Sequence, residues 1–377
     1  MLALHARPPY VNRLAVPLAT RTADAADERA CAAHLGCSLE AVQLARRAEI
    51  VDLHVDTFIP VRLWRYDIMT RHRGALFGRR FFGHLDLPRL TDGGLAAAMW
   101  SITTNPFRSA AGRWRVFREN LAVLRGLIAG SAGRLSEVRD AAQYRTARAA
   151  GAHACLLAIQ GANAVQAAPD GVASIPDDCV VRATLVHLTD SVYGATSSPL
   201  GLRRHKGLTA AGRELIAQLN ARRVFVDLAH VHERTFHDAV AVHDRTQPLV
   251  VTHTGVAGVT PHWRNLSDAQ ITAVADTGGT VGIIFSEQFL RRPGGPADSA
   301  MVVEHIEHVI RVAGEDVVSL GSDYDGAITP PPDLAGADCY PRLVQRMLDR
   351  RFGEDRIRKV LGGNFRRAFA ALRPGCT

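Results

Sequence analysis

With 377 residues, 47% of them hydrophobic, the chain can bury a sizeable core as one large domain or two smaller ones, and its composition excludes a disordered or fibrous protein. Six scattered cysteines without a CxxC pair exclude a disulfide framework and a thiolate zinc site, and they fit a reducing, cytoplasmic setting. The net charge of +8 is spread over arginines along the whole chain with no nucleic-acid-binding signature, so a solvated basic surface is expected rather than a nucleic-acid partner.

The first 30 residues are interrupted by Arg, Pro and Asn before any apolar segment long enough for a signal peptide or a membrane span can form, so no membrane association is expected. Residues 1–48 read as an extension that includes a helical "SLEAVQLARRAE" and packs on the remainder of the chain. From residue 49 short apolar runs recur: "IVDLHVDT", "LAAAMWSITT", "ACLLAIQ", "VVRATLVHL", "VFVDLAH", "LVVTHT", "TVGIIFS" and "VVSLGSDYD". Between them lie amphipathic helical patterns such as "GRWRVFRENLAVLRGLIAG", "TAAGRELIAQLNARR" and "MVVEHIEHVIRVAG". Nearly continuous apolar strands alternating with helices predict a parallel sheet buried on both faces. Eight such units predict an α/β protein of the (β/α)8 TIM-barrel class. The segment "YPRLVQRMLDRRFGEDRIRKVLGGNFRRAFAAL" then supplies closing helices, with no linker to mark a further domain within 49–377.

Polar residues gather at one end of the expected strands. His54 and Asp56 end the first, Gln160 the third, His187 the fourth, His230 the fifth and His253 the sixth; Asp323 and Asp325 follow the eighth. The carboxyl ends of all barrel strands meet at one mouth, so residues far apart in sequence become neighbours there. Imidazoles and carboxylates at such a mouth suit zinc or a related divalent ion, and an open coordination position makes that ion hydrolytic. The His-x-Asp spacing of His54 and Asp56 points both side chains to one face of a strand. Asp325 reads as a turn residue of "GSDYDG". Arg264, in "PHWRN", suits either a surface salt bridge or a fork for a substrate carboxylate. "HERTFH" has one residue too many for a metalloprotease helix, and Glu304 with His308 reads as a solvated pair on an outer helix.

Taken together, "DLHVD", "TLVH", "DLAHV", "VVTHTGVAGVTPHWRN" and "GSDYDG" resemble, in order and context, the renal or membrane dipeptidases, metallopeptidase family M19 of the amidohydrolase-like barrels. The resemblance spans about 320 residues. It implies a metal-dependent hydrolase in which His54 and Asp56 bind one zinc and His230 and His253 the other. It further implies that His187 steadies the oxyanion, Arg264 holds the substrate carboxylate and Asp323 handles the proton. Dipeptide substrates and a homodimer are also implied.

One position departs from the family pattern. The family's third-strand segment carries a glutamate that bridges the two zincs, and the matching residue in "AIQGA" is Gln160. A carboxylate offers two anionic oxygens; an amide offers one neutral oxygen and an NH₂ that repels a cation. The expectation is therefore one tightly bound zinc and a weak or absent second, with Gln160→Glu raising affinity for the second. Three functions remain open on the sequence alone: a dipeptidase-like hydrolase with an altered metal site, a diverged barrel enzyme acting on a small carboxylate substrate without peptidase chemistry, and a non-catalytic binding protein.

Overall fold

The structure, a computed structural model, describes residues 25–72 and 80–375. It begins with a helix, Ala25–Leu35, followed by Leu39–Arg47, which Ser38 caps by accepting a hydrogen bond from the Ala41 amide and which carries Arg46 and Arg47 in its last turn. The second helix lies against the later helix Tyr340–Asp349: the Ser38 amide donates to Gln345 Oε1 (2.8 Å) and Arg342 Nε donates to the Leu35 carbonyl (2.7 Å).

Nine strands are present among the described residues: β1 (Ile50–Val55), β2 (Leu95–Thr103), β3 (Leu135–Glu137), β4 (His153–Gln160), β5 (Val180–Thr184), β6 (Phe225–Asp227), β7 (Val250–Thr254), β8 (Thr280–Ile283) and β9 (Val318–Leu320). They pair in parallel in the order β2-β1-β9-β8-β7-β6-β5-β4. β4 returns to β2 in continuous register from Ala97↔Ala154 to Thr103↔Gln160, closing eight strands into a barrel. β3 pairs with the first residues of β4 on the edge away from β2 and stays outside the ring. At three residues it carries no readable period, which is why "RLSEV" gives no strand signal and why the expected third strand is β4 in chain order.

Every residue of β1, β2, β4, β5 and β7 is buried, as strands covered on both faces must be. Side-chain caps start the covering helices: Ser109 before Ala110–Ala129, Thr209 before Ala210–Ala221, and Ser267 with Gln270 in a capping box before Asp268–Ala275. A separate apolar cluster joins Ala97, Met99, Ala154, Leu156, Ala158 and Phe225 to Phe365 and Phe369 of the final helix, Asn364–Leu372. That helix sits at the N-terminal end of the barrel, where Asn364 Nδ2 donates to the carbonyls of Glu315 and Val318. With the bottom filled by hydrocarbon, the alternation along β4 that places Ala154, Leu156 and Ala158 in this cluster delivers Gln160 to the opposite, open end.

Several strands stop earlier than their apolar runs. His187 and His230 each lie three residues past the ends of β5 and β6, and Asp323 three past β9, so all three belong to loops rather than strand ends. The backbone explains the difference: His230 (φ 66°) and Asp323 (φ 63°) adopt left-handed conformations that no strand accepts, while hydrophobicity continues through them. Such strain in non-glycine residues is characteristic of functional sites. Glu304 and His308 do not form the expected solvated pair. Glu304 accepts from Arg292 Nε (2.9 Å) and Nη2 (2.8 Å), and His308 is buried with Nε2 2.6 Å from Asp268 Oδ1.

Candidate metal centre at the barrel mouth

β1 carries His54 with its backbone fixed by the Asp52 carboxylate, which accepts from the His54 amide (3.0 Å), the Ser322 amide (2.9 Å) and the Tyr340 hydroxyl (2.6 Å). Beyond β1, the Asp56 amide donates to the Tyr324 carbonyl and the Asp323 amide to the His54 carbonyl, so the two aspartates are carried by interlocked backbones. His54 Nε2 lies 3.6 Å from Asp56 Oδ2 and 3.6 Å from Asp323 Oδ1. Its ring packs at a tilt against His253 of β7 with centroids 3.8 Å apart. His253 Nε2 is 2.9 Å from His230 Nε2, and Gln160 Nε2 is 3.5 Å from the same His230 nitrogen. His187 packs edge-on against His230 (centroids 4.8 Å), and Arg264 Nη2 donates to the His253 carbonyl (2.6 Å). The mouth therefore brings together His54, Asp56, Gln160, His187, His230, His253, Arg264 and Asp323. Gly161, at φ 88°, turns the chain sharply after Gln160, and a Cβ there would stand 3.4 Å from that of His187.

The donors are suited to a cation. Two imidazole nitrogens 2.9 Å apart need a shared proton or a cation between them, because facing lone pairs repel. His54 Nε2, Asp56 Oδ1, Gln160 Oε1 and His230 Nδ1 are buried without a hydrogen-bond partner, an arrangement that costs stability unless something else satisfies them. His54, His253 and Asp323 offer ligand atoms within 4.8 Å of one another. Burial lowers the pKa of His54 and pushes those of His230 and His253 well below the ordinary imidazole value, which favours the neutral ring that a metal requires. Burial and then the neighbouring Asp56 raise the Asp323 carboxyl well above its usual range. His187 is lowered to about 4 by burial and is neutral at physiological pH.

Comparison with known proteins supplies the family. Residues 39–373 match the family model described as membrane dipeptidase, peptidase family M19. The chain belongs to this metallo-dipeptidase family. It is accordingly a hydrolase of the M19 class built on a (β/α)8 barrel. A Klebsiella pneumoniae protein described as uncharacterised and encoded in the pqqA 5′ region is 36% identical over 263 residues, 66% of this chain and 93% of that protein. The solved structure of a dipeptidase, a family M19 metallopeptidase, superimposes with a TM-score of 0.77 at 28% identity, covering 86% of this chain and 99% of the other. A Rhodobacter sphaeroides metallopeptidase solved with a phosphinate mimic of the dipeptide L-Ala-D-Ala gives a TM-score of 0.75 at 28% identity, covering 85% and 98%. Despite the family's name, no helix among the described residues is long and apolar enough to cross a membrane.

Sequence reasoning passed over the residues that support this site. Arg182 of β5 and Asp227 of β6 are wholly buried beneath the mouth with Ser101 and Thr252. Their signal was present in "VVRATLV" and "VFVDLAH": a charge inside a run buried on both faces is expensive alone, so an arginine and an aspartate in such runs must meet. Asp325 is more than a turn residue. Its carboxylate accepts from the Thr57 hydroxyl (2.5 Å) and the Gly83 (2.6 Å) and His84 (2.9 Å) amides, binding the segment before helix Leu87–Asp92 to the mouth.

Proposed function

We propose that this M19 hydrolase cleaves the peptide bond of a dipeptide or a small amino-acid-derived substrate, using one tightly bound zinc ion. The observation that carries the proposal is the 2.9 Å approach of His230 Nε2 and His253 Nε2, flanked by unsatisfied atoms of His54 and Asp56 and by a neutral Gln160 where the family places its bridging carboxylate. His54, Asp56, His230 and His253 are the side chains available to the ion. When bound, zinc supplies Lewis acidity towards water and the scissile carbonyl.

The remaining work falls to the protein. Arg264 is buried and spends one Nη2 hydrogen on the His253 carbonyl, while its Nε has no partner, so the guanidinium retains donors for the substrate's terminal carboxylate. His187, neutral and half-buried at the mouth, offers its ring N–H to the carbonyl oxygen as charge develops there. Asp323 takes the proton from the attacking water and delivers it to the leaving amine. The five free cysteines among the described residues support a reducing, cytoplasmic setting, and the contacts of Ser38 and Leu35 with helix 340–349 support treating residues 25–48 as an extension packed on the 49–377 barrel; residues 1–24 of the expected 1–48 extension lie outside the described residues.

Zinc content of protein purified without chelator, measured beside hydrolysis of a dipeptide panel, tests the proposal. About one zinc per chain with dipeptide turnover is expected. Two tightly held zincs would remove the altered-site reading, and stoichiometric zinc without hydrolysis of any dipeptide would favour a different reaction at the same mouth.

A further inference from the structure

Arg264 is bonded to the carbonyl of His253 on β7 and holds one side of the mouth. A second arginine stands on the other side. Arg62 lies in the last turn of the helix Phe58–Trp64, which follows β1. Its Nη1 donates to the carbonyl of Thr103 (3.4 Å), the last residue of β2 and the register partner of Gln160 where the barrel closes. In the closed order of eight strands β2 and β7 are four places apart, so Arg62 and Arg264 lie across the mouth from each other, with the converging His54, His253 and Asp323 between them.

Arg62 is half-buried, its Nε is buried without a partner, and it makes no ion pair among the described residues. Burial lowers its pKa; the charges that act on it are Asp56, whose charge a metal would take up, and Arg108, which repels it. The loop that carries Arg108 is fixed by the buried Arg113. Nη1 of Arg113 donates to the carbonyls of Pro106 (3.3 Å) and Arg108, Nε to the Asn163 carbonyl (3.0 Å) and Nη2 to Gln166 Oε1 (2.5 Å), tying the loop after β2 to the segment after Gln160. Gln160 itself is uncharged where the family has a carboxylate. A carboxylate there would repel an incoming anion, whereas the amide leaves this side of the mouth positive. A guanidinium held partly out of water by one long carbonyl contact costs stability, and a bound anion would offset that cost.

We propose that Arg62 recognises an acidic side chain on the N-terminal residue of the substrate, so that the preferred substrates are dipeptides beginning with Asp or Glu. This rests on the dipeptidase reading above. With the terminal carboxylate on Arg264 and the scissile carbonyl at the centre of the mouth, the C-terminal residue occupies the β7 side and the N-terminal residue extends towards β2 and Arg62. Nη1 is engaged by Thr103, which leaves Nε and Nη2 to fork onto a carboxylate with two parallel hydrogen bonds. An amide of the same shape has one acceptor oxygen and an NH₂ that faces the donors. Arg62 selects among substrates and takes no part in proton transfer.

Steady-state kinetics of zinc-loaded wild type and Arg62→Met on Asp-Ala and Glu-Ala, beside their amide counterparts Asn-Ala and Gln-Ala, read this as a ratio of kcat/KM. Wild type should favour the better acidic dipeptide over its amide counterpart roughly tenfold to hundredfold, the size of a charge-assisted hydrogen bond, and Arg62→Met should bring the ratio close to unity. Ala-Asp should gain no such preference over Ala-Asn in wild type, because that side chain lies on the Arg264 side. A ratio near one in wild type, a preference tied to the C-terminal residue instead, or a ratio that Arg62→Met leaves unchanged overturns the role of Arg62. Calorimetry with the phosphinate isosteres of Asp-Ala and Asn-Ala keeps the two readings apart. Tighter binding of the acidic isostere, abolished in Arg62→Met, supports the role of Arg62 even where no dipeptide is hydrolysed, the result that overturns the dipeptidase reading; equal binding of the two isosteres by wild type overturns the role itself.

Discussion

Asp323 is closely held in the mouth. Its backbone is held at φ 63°, its amide is bonded to the His54 carbonyl and its carboxylate is 3.6 Å from His54 Nε2. An amide at this position keeps the shape and loses the ability to accept a proton, so Asp323→Asn should lower turnover roughly 10²–10⁴-fold with zinc content and thermal midpoint unchanged. Loss of zinc together with turnover would make Asp323 a ligand instead of the proton carrier. Arg264 invites a different measurement. Arg264→Ala should raise KM for substrates with a free carboxylate roughly tenfold to hundredfold, the size of a charge-assisted hydrogen bond, and change KM little for their carboxyl-amidated analogues. An equal loss for both substrate types would assign Arg264 to supporting His253 through its carbonyl.

At the scale of elements, the mouth is a set of loops held to rigid strands, and the loop after β9 is the principal fastening. Asp325 within it joins Thr57, which follows β1, to the Gly83–His84 segment, while the Asp325 amide donates to His84 Nδ1 (2.9 Å). Removing the carboxylate leaves a hydroxyl and two amides without their acceptor in a buried place. Asp325→Ala should therefore cost about 3 kcal/mol or more, read as a fall in the urea midpoint at constant m-value. A midpoint unchanged from wild type would show that water takes over these donors. The same loop contains Ser322, whose amide donates to Asp52, so β1 and β9 position His54, Asp56 and Asp323 as one unit. The helices tell a simpler story, because Ser38, Ser109, Thr209 and Ser267 are capping residues recognisable from their positions before amphipathic runs.

Across the described residues of the molecule, many arginines are paired with acids. Arg292 pairs with Glu304, Arg346 with Asp298, Arg356 with Glu315 and Arg125 with Glu137, all at or near the surface, where such pairs add little stability individually. A stronger dependence on pH comes from buried histidines, two of them outside the mouth. His153 accepts from Trp100 Nε1 and has Nδ1 against the Leu95 carbonyl; His305 accepts from the Val256 amide and has Nε2 against the Leu290 carbonyl. Burial lowers both to about 4. The unfolded chain, with imidazoles near 6.5, then binds more protons than the folded one between those values, so stability is full above about pH 6.5 and falls as pH drops towards 4. Each group contributes at most about 3 kcal/mol over that window. Urea unfolding from pH 7.5 to 4 should show this decline, and His153→Gln should make it shallower; an equally steep profile would place the acid sensitivity elsewhere.

Periodicity and composition sufficed for the class of fold, since eight apolar runs alternating with amphipathic helices have few other ways to bury themselves. They sufficed also for the membership of the mouth, because the barrel sends every strand's carboxyl end to one place, and His54, Gln160, His230 and His253 could be gathered from distant stretches on that rule alone. What they could not supply was the buried partners of those side chains. The group behind each imidazole comes from another strand: Arg182 of β5 lies against His54, and Asp227 of β6 reaches His253 through Thr252. Nor could apolar runs mark where β5, β6 and β9 end, because hydrophobicity continues into loops that the barrel buries, and the left-handed backbone of His230 and Asp323 arises from the closed mouth. Local sequence determined which residues arrive; only tertiary packing decided which atom of each one points inward, because a hydrogen bond's direction is set by both of its partners.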